Sequence, residues 1–120
     1  MSIRQIVILF IALALPAVAE SDAKEINHVV ICWYDEAVSD ETIDQAIKAV
    51  QGFKQIEGVE DVRVGRAIPS DRAIVDDSFS IGVFIRTKDA ESLERYIEHP
   101  IHKMFVKKFV SGKTTKVTVY

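Results

Sequence analysis

The sequence predicts one α+β domain on three observations. Four runs are rich in β-branched and aromatic residues, apolar residues recur every three to four positions between them, and the order is strand, helix, strand, strand, helix, strand. The first run, Ile26 to Tyr34, is closed by Asp35-Glu36 and predicts a central strand. A helix follows. Ser39 is placed to accept from first-turn amides, Asp40, Glu41 and Asp44 complement the positive helix start, and Ile43, Ile47 and Val50 repeat along one face that Ala46 and Phe53 widen. Gly52 weakens the helix end, and Gly58 marks the turn into a second strand, Val59 to Ala67, where Val62 and Val64 flank Arg63 and predict a half-buried strand.

A polar loop, Pro69 to Asp77, leads to a third strand, Phe79 to Thr87, in which Gly82 predicts a bulge or a close approach by another group. Asp89 caps the next helix, with Leu93, Tyr96 and Ile97 on one face. Pro100 stops that helix and opens a short one in which Ile101, Phe105 and Phe109 recur every fourth residue before Gly112. His99 precedes a proline, so it is pushed out of helical geometry and its ring can bond the amides that open the short helix. Thr114 to Tyr120 is the last strand. The order is the ferredoxin-like βαββαβ pattern, with a four-stranded antiparallel sheet. Right-handed crossovers put both helices on one face and leave the other uncovered, which predicts an isologous dimer through the bare face.

Ahead of the domain, Arg4 precedes the apolar stretch Ile6 to Leu15, Pro16 breaks it, and Ala17-Val18-Ala19 offers the small residues of a cleavage site. About 14 apolar residues fall short of the roughly 20 that span a bilayer. Residues 1–19 are thus predicted to be a signal peptide, residues 20–25 a flexible lead and residues 26–120 the domain, exported to the periplasm or secreted. The remaining 101 residues hold 14 basic and 18 acidic side chains, a balance that argues against nucleic acid or a membrane as partner. Cys32 is the chain's single cysteine and sits in an apolar run, as a buried thiol would.

Two of the three histidines fall in His99-Pro100-Ile101-His102, three residues after Tyr96. A histidine moves protons near neutral pH and a tyrosine can hydrogen-bond a carbonyl or developing enolate. The histidines lack metal-ligand spacing, so no metal and no cofactor is expected. Trp33 and Tyr34 point to opposite faces of the first strand, and together with Phe79 they are the candidate ligand-pocket aromatics.

Several segments, Asn27-His28-Val29-Val30, Gly58-Val59 before Val62 to Arg66, and Tyr96 to His102 followed by Phe105-Val106, resemble the stress-responsive A/B barrel (Dabb) family over roughly Asn27 to Tyr120. The resemblance implies a homodimer whose sheets close into an α+β barrel, and a small-ligand cavity between each sheet and its helices. It also implies mixed functions, from stress-induced plant proteins and bacterial members without known activity to small polyketide cyclases using a histidine and a tyrosine. By position His102 and Tyr96 match that pair, and His28 matches a pocket histidine. Where many members carry Gly-Tyr-Thr-His, this chain has Ser78-Phe79-Ser80-Ile81. The expectation is an exported domain that binds a small apolar or aromatic molecule. The alternatives are a cofactor-independent cyclase, isomerase or lyase with His102 as base, Tyr96 as donor and His28 in support, and a cofactor-free monooxygenase.

Overall fold

The four predicted strands pair into a single antiparallel sheet. A computed structural model describes residues 24–120, so the expected leader and the first part of the lead lie outside the described residues. The elements are β1 (Ile26–Tyr34), α1 (Asp40–Gln51) running into a 3-10 turn (Gly52–Gln55), β2 (Val59–Arg66), β3 (Ile81–Thr87), α2 (Ala90–Glu98), α3 (Pro100–Phe109) and β4 (Thr114–Val119). The strand order is β2-β3-β1-β4, the ferredoxin-like arrangement.

Local chemistry fixes the helix starts. Ser39 Oγ accepts from the Thr42 amide at 3.2 Å, and Asp89 Oδ1 accepts from the Ser92 amide at 2.7 Å. Each bond satisfies one of the amides that a first helical turn leaves without a partner. Arg66, at the end of β2, donates to the Asp40 carbonyl at 3.1 Å and to Asp44 Oδ1 at 2.8 Å, tying that strand to the first turn of α1.

Register decides which side chains meet. Paired residues share a face, so His28, Val30 and Cys32 of β1 lie with Ile85, Val83 and Ile81 of β3, and β4 adds Val119 opposite Val30 and Val117 opposite Cys32. All helices pack on this face. Ile43, Ala46 and Val50 from α1, with Phe53 from the 3-10 turn, form the core against Ile81, Val83 and Ile85. The other face carries Val29, Ile31 and Phe84, half-buried in the monomer, and the exposed Arg63. The described pairings and core fall within residues 26–120.

Two expectations are corrected. The third strand begins at Ile81 rather than Phe79, because the Ser80 amide donates to the Cys32 carbonyl at 2.9 Å while its hydroxyl accepts from the Tyr34 amide at 2.8 Å, turning the chain before the ladder starts. The ladder also runs evenly through Gly82, and the irregularities fall between Val59 and Asp61 and between Trp33 and Tyr34. Nor is there a close approach at Gly82, where a Cβ would make only ordinary van der Waals contacts, 3.6 Å from Ile31 Cδ1 and from Phe79 Cε2.

Gly58 has φ of +89° and its missing Cβ would stand 2.6 Å from Ser92 Cβ, whereas Gly112 has φ of +71° in open space. Left-handed backbone strain applies to both positions, and overpacking adds to it only at Gly58. Gly112→Ala is expected to cost about 1–2 kcal/mol and Gly58→Ala about 2–5 kcal/mol. Urea unfolding midpoints of the two variants check the difference.

Candidate functional site

The site begins at the break between α2 and α3. His99 is extended, with φ of −65° and ψ of 138°, and its Nδ1 accepts from the Ile101 amide at 3.1 Å. His99 therefore caps α3, as its place before Pro100 predicts. Beyond the cap, His102 folds back so that its Nδ1 lies 2.9 Å from the Ile97 carbonyl. A carbonyl only accepts, so Nδ1 carries the proton and Nε2 of the neutral ring keeps its lone pair.

His102 packs against Tyr96, their ring centres 4.6 Å apart, and His28 approaches Tyr96 from β1 at 6.0 Å. Phe53 closes the group from below, 5.4 Å from Tyr96, 5.8 Å from His102 and 5.2 Å from Phe105. His28, Tyr96 and His102, three side chains distant in sequence, thus line one cavity of about 300 Å³. Its remaining walls are apolar apart from the Cys32 thiol, and include Val30, Val83, Val106 and Val117. Ile97, Val117 and Val119 line the cavity and are also exposed, so it opens to solvent beside β4. At about 30 Å³ per water-sized group, it holds on the order of ten heavy atoms.

The electrostatics follow from burial. Tyr96 is 2% exposed, and burial alone pushes its phenol well above the ordinary value. Among the described residues its hydroxyl has no hydrogen-bond partner, and neither has the ring of His28. Desolvation lowers the pKa of His28, with a further push from His102. Desolvation likewise lowers His102, against smaller opposing effects of the Ile97 carbonyl and Glu98. Both rings are neutral at pH 7. The site then offers a hydroxyl donor, an imidazole N–H on His28 and a basic nitrogen at His102 Nε2, all in apolar surroundings. Among the described residues no cluster of three or more His, Cys, Asp or Glu side chains is arranged to hold a metal ion.

The three pocket aromatics are not in this cavity. Trp33 lies on the bare sheet face, where Nε1 donates to Ser78 Oγ at 2.9 Å and Lys116 Nζ stands 4.7 Å from the ring. Phe79 is on that face too, beside the Cα of Gly82. Tyr34 is on the helix face but is buried apart from the cavity, its hydroxyl unpartnered and its pKa pushed up to about 12 by desolvation first and Cys32 second. Lining residues that sequence reasoning did not assign to the site include Phe53, Val106, Val117 and Val119. The alternation of Val117 and Val119 in the last strand marks one face, but only its register against β1 identifies that face.

The stress responsive A/B barrel domain model matches residues 26–120. The chain belongs to this family. No curated protein matches it in sequence. Among solved structures, this A/B barrel domain is similar to a dimeric ferredoxin-like protein of unknown function from Thermobifida fusca, at 15% identity and a TM-score of 0.68, over 81% of this chain and 88% of that one. It is similar to the hydroxynitrile lyase from Passiflora edulis at 21% identity and a TM-score of 0.68, over 81% and 90% of the two chains. A Dabb family protein with a ferredoxin-like fold from Mesorhizobium loti matches at 20% identity and a TM-score of 0.64, over 81% and 93%.

The lowered histidine pKa values set a pH window. Unfolded, both rings take up protons at their ordinary 6.5; folded, they resist until lower pH. Their contribution to stability is therefore complete above 6.5 and is lost as the pH falls from there through the folded values. The carboxylates of Asp61, Asp76 and Asp89 are held below their ordinary 3.8 by hydrogen bonds and act at still lower pH. Melting temperatures between about pH 5 and 8 should fall on the acid side, and the fall should shrink in a His28→Gln, His102→Gln double variant.

Proposed function

We propose that this A/B barrel domain binds a small, largely apolar molecule bearing one polar group and transfers a proton at that group without a cofactor. The observation that carries the reading is the convergence of His102 Nε2, the unpartnered Tyr96 hydroxyl and His28 on one apolar cavity. In such surroundings hydrogen bonds to a developing oxyanion are strengthened, and a neutral imidazole is ready to act as base. His102 is the base, Tyr96 orients the polar group, and His28 donates in support. The bond from His102 Nδ1 to the Ile97 carbonyl holds the ring and stabilises the imidazolium as it forms.

A lyase is the reading that the similarity to a hydroxynitrile lyase supports, and an aromatic cyanohydrin of about ten heavy atoms suits the cavity's size. His102 removes the hydroxyl proton, the bond between the carbinol carbon and the nitrile carbon breaks, and the electron pair leaves with cyanide. The carbonyl forms, and cyanide takes up a proton. With mandelonitrile as probe, release of benzaldehyde is expected to drop at least about 100-fold in His102→Ala, with circular dichroism unchanged. Turnover that survives the substitution would overturn the base assignment. Benzaldehyde binding without turnover in the unaltered protein would remove catalysis and leave a binding domain.

The same reading makes the mature protein an exported homodimer, beginning at Glu20 after removal of its leader and closing its bare sheet face, Val29, Ile31 and Phe84, against a second copy. Light scattering of residues 20–120 should return about twice the monomer mass, and a monomer would sink the barrel.

A further inference from the structure

The charge of this domain is divided unevenly along the chain. Residues 24–99 carry nine basic and 16 acidic side chains, whereas residues 100–120 carry five lysines and neither aspartate nor glutamate. The exposed apolar side chains follow the lysines. Of the eight large apolar residues exposed among the described residues, Ile97, Ile101, Met104, Val117 and Val119 lie at the end of α2, on α3 and on the helix-side face of β4. Met104 is 69% exposed on the crest of α3, with Lys103, Lys107 and Lys108 around it. Lys103 pairs with Glu98 at 2.9 Å, and Lys107 and Lys108 have no carboxylate partner among the described residues.

At 100° per residue, His102 and Val106 turn one side of α3 into the cavity, Lys103 and Lys107 follow beside its mouth, and Met104 and Lys108 continue over the crest. Exposed apolar side chains ringed by lysines, two of them without a carboxylate partner among the described residues, match a surface with negative headgroups above an apolar layer. From this we infer that the α3 crest and the β4 edge of the cavity mouth form a docking surface for an anionic lipid membrane, which turns the mouth toward the layer where an apolar ligand partitions. The negative total that argues against a membrane belongs to residues elsewhere in the chain, and screening limits its reach to about 10 Å. This docking does not depend on the proton-transfer reading, because His102 enters only to orient α3 and none of the residues that would meet the membrane is His28, Tyr96 or His102.

The test is flotation of residues 20–120, the proposed mature protein, on vesicles of phosphatidylcholine with and without phosphatidylserine. Binding is expected only with phosphatidylserine, to weaken as salt is raised, and to fall about 30-fold in a Lys107→Glu, Lys108→Glu variant. Met104→Ser, which removes an exposed side chain and leaves the fold intact by thermal melting, is expected to weaken it separately. Equal binding to neutral vesicles, no binding to either, or indifference to the charge reversal would overturn the inference. Equally tight binding of soluble polyglutamate would assign the surface to an acidic protein instead. A change of solution mass in Met104→Ser would assign it to a second copy.

Discussion

Pro100 is the constraint on which the site depends. It has no amide hydrogen and its ring excludes helical geometry at His99, so α2 and α3 cannot be one helix. Had the helix continued, Tyr96 and His102, six residues apart, would point about 120° away from each other around the axis. The break lets α3 leave in a new direction and brings the rings to 4.6 Å. It also frees the Ile97 carbonyl, one of the last of α2, to receive His102 Nδ1 and fix the tautomer. One covalent feature thereby determines the geometry and the protonation of the candidate base.

Phe53 makes that geometry consequential. It is 2% exposed, stands in the 3-10 turn after α1, and touches the rings of Tyr96, His102 and Phe105. Its bulk separates the polar group from the core below and keeps the cavity apolar. The Tyr96 hydroxyl and the His28 ring, which make no hydrogen bond among the described residues, line this open cavity, and their hydrogen-bonding capacity is available to a ligand.

The readable parts of this fold were those decided locally. Ser39, Asp89 and His99 cap helices because each side chain reaches amides two or three residues away, and such reach is visible in sequence. Tyr96, His102 and His28 were identified as a group through the family's pattern, since their spacing alone does not bring them together. The three aromatics lie outside this cavity for a physical reason. Period-two alternation separates Trp33 from Tyr34 but does not say which side the helices will cover, and the distinction rests on β1 pairing with β3 from Ile26 opposite Thr87 to Cys32 opposite Ile81. Phe79 fell with the position of the third strand's start, set by two hydrogen bonds from Ser80 to residues more than 40 positions away. The walls given by Val117 and Val119 required the same kind of long-range information.

Helix α3 gives these features a common origin. Its hydrophobic repeat buries Phe109 and half-buries Phe105, yet Ile101 at the start of the same stripe and Met104 beside it remain exposed, more apolar surface than a solvated helix needs. Lysines in its last turn complement the negative end of the helix, which accounts for Lys107 and Lys108 as charges but not for the methionine between Lys103 and Lys107. A helix that only covered a core would carry a polar residue on its crest. Inner and outer faces are locked together by the cap at His99, so a membrane meeting the crest would meet the cavity's mouth in one fixed orientation. Docking and ligand entry would then be a single geometric event, with no moving part required.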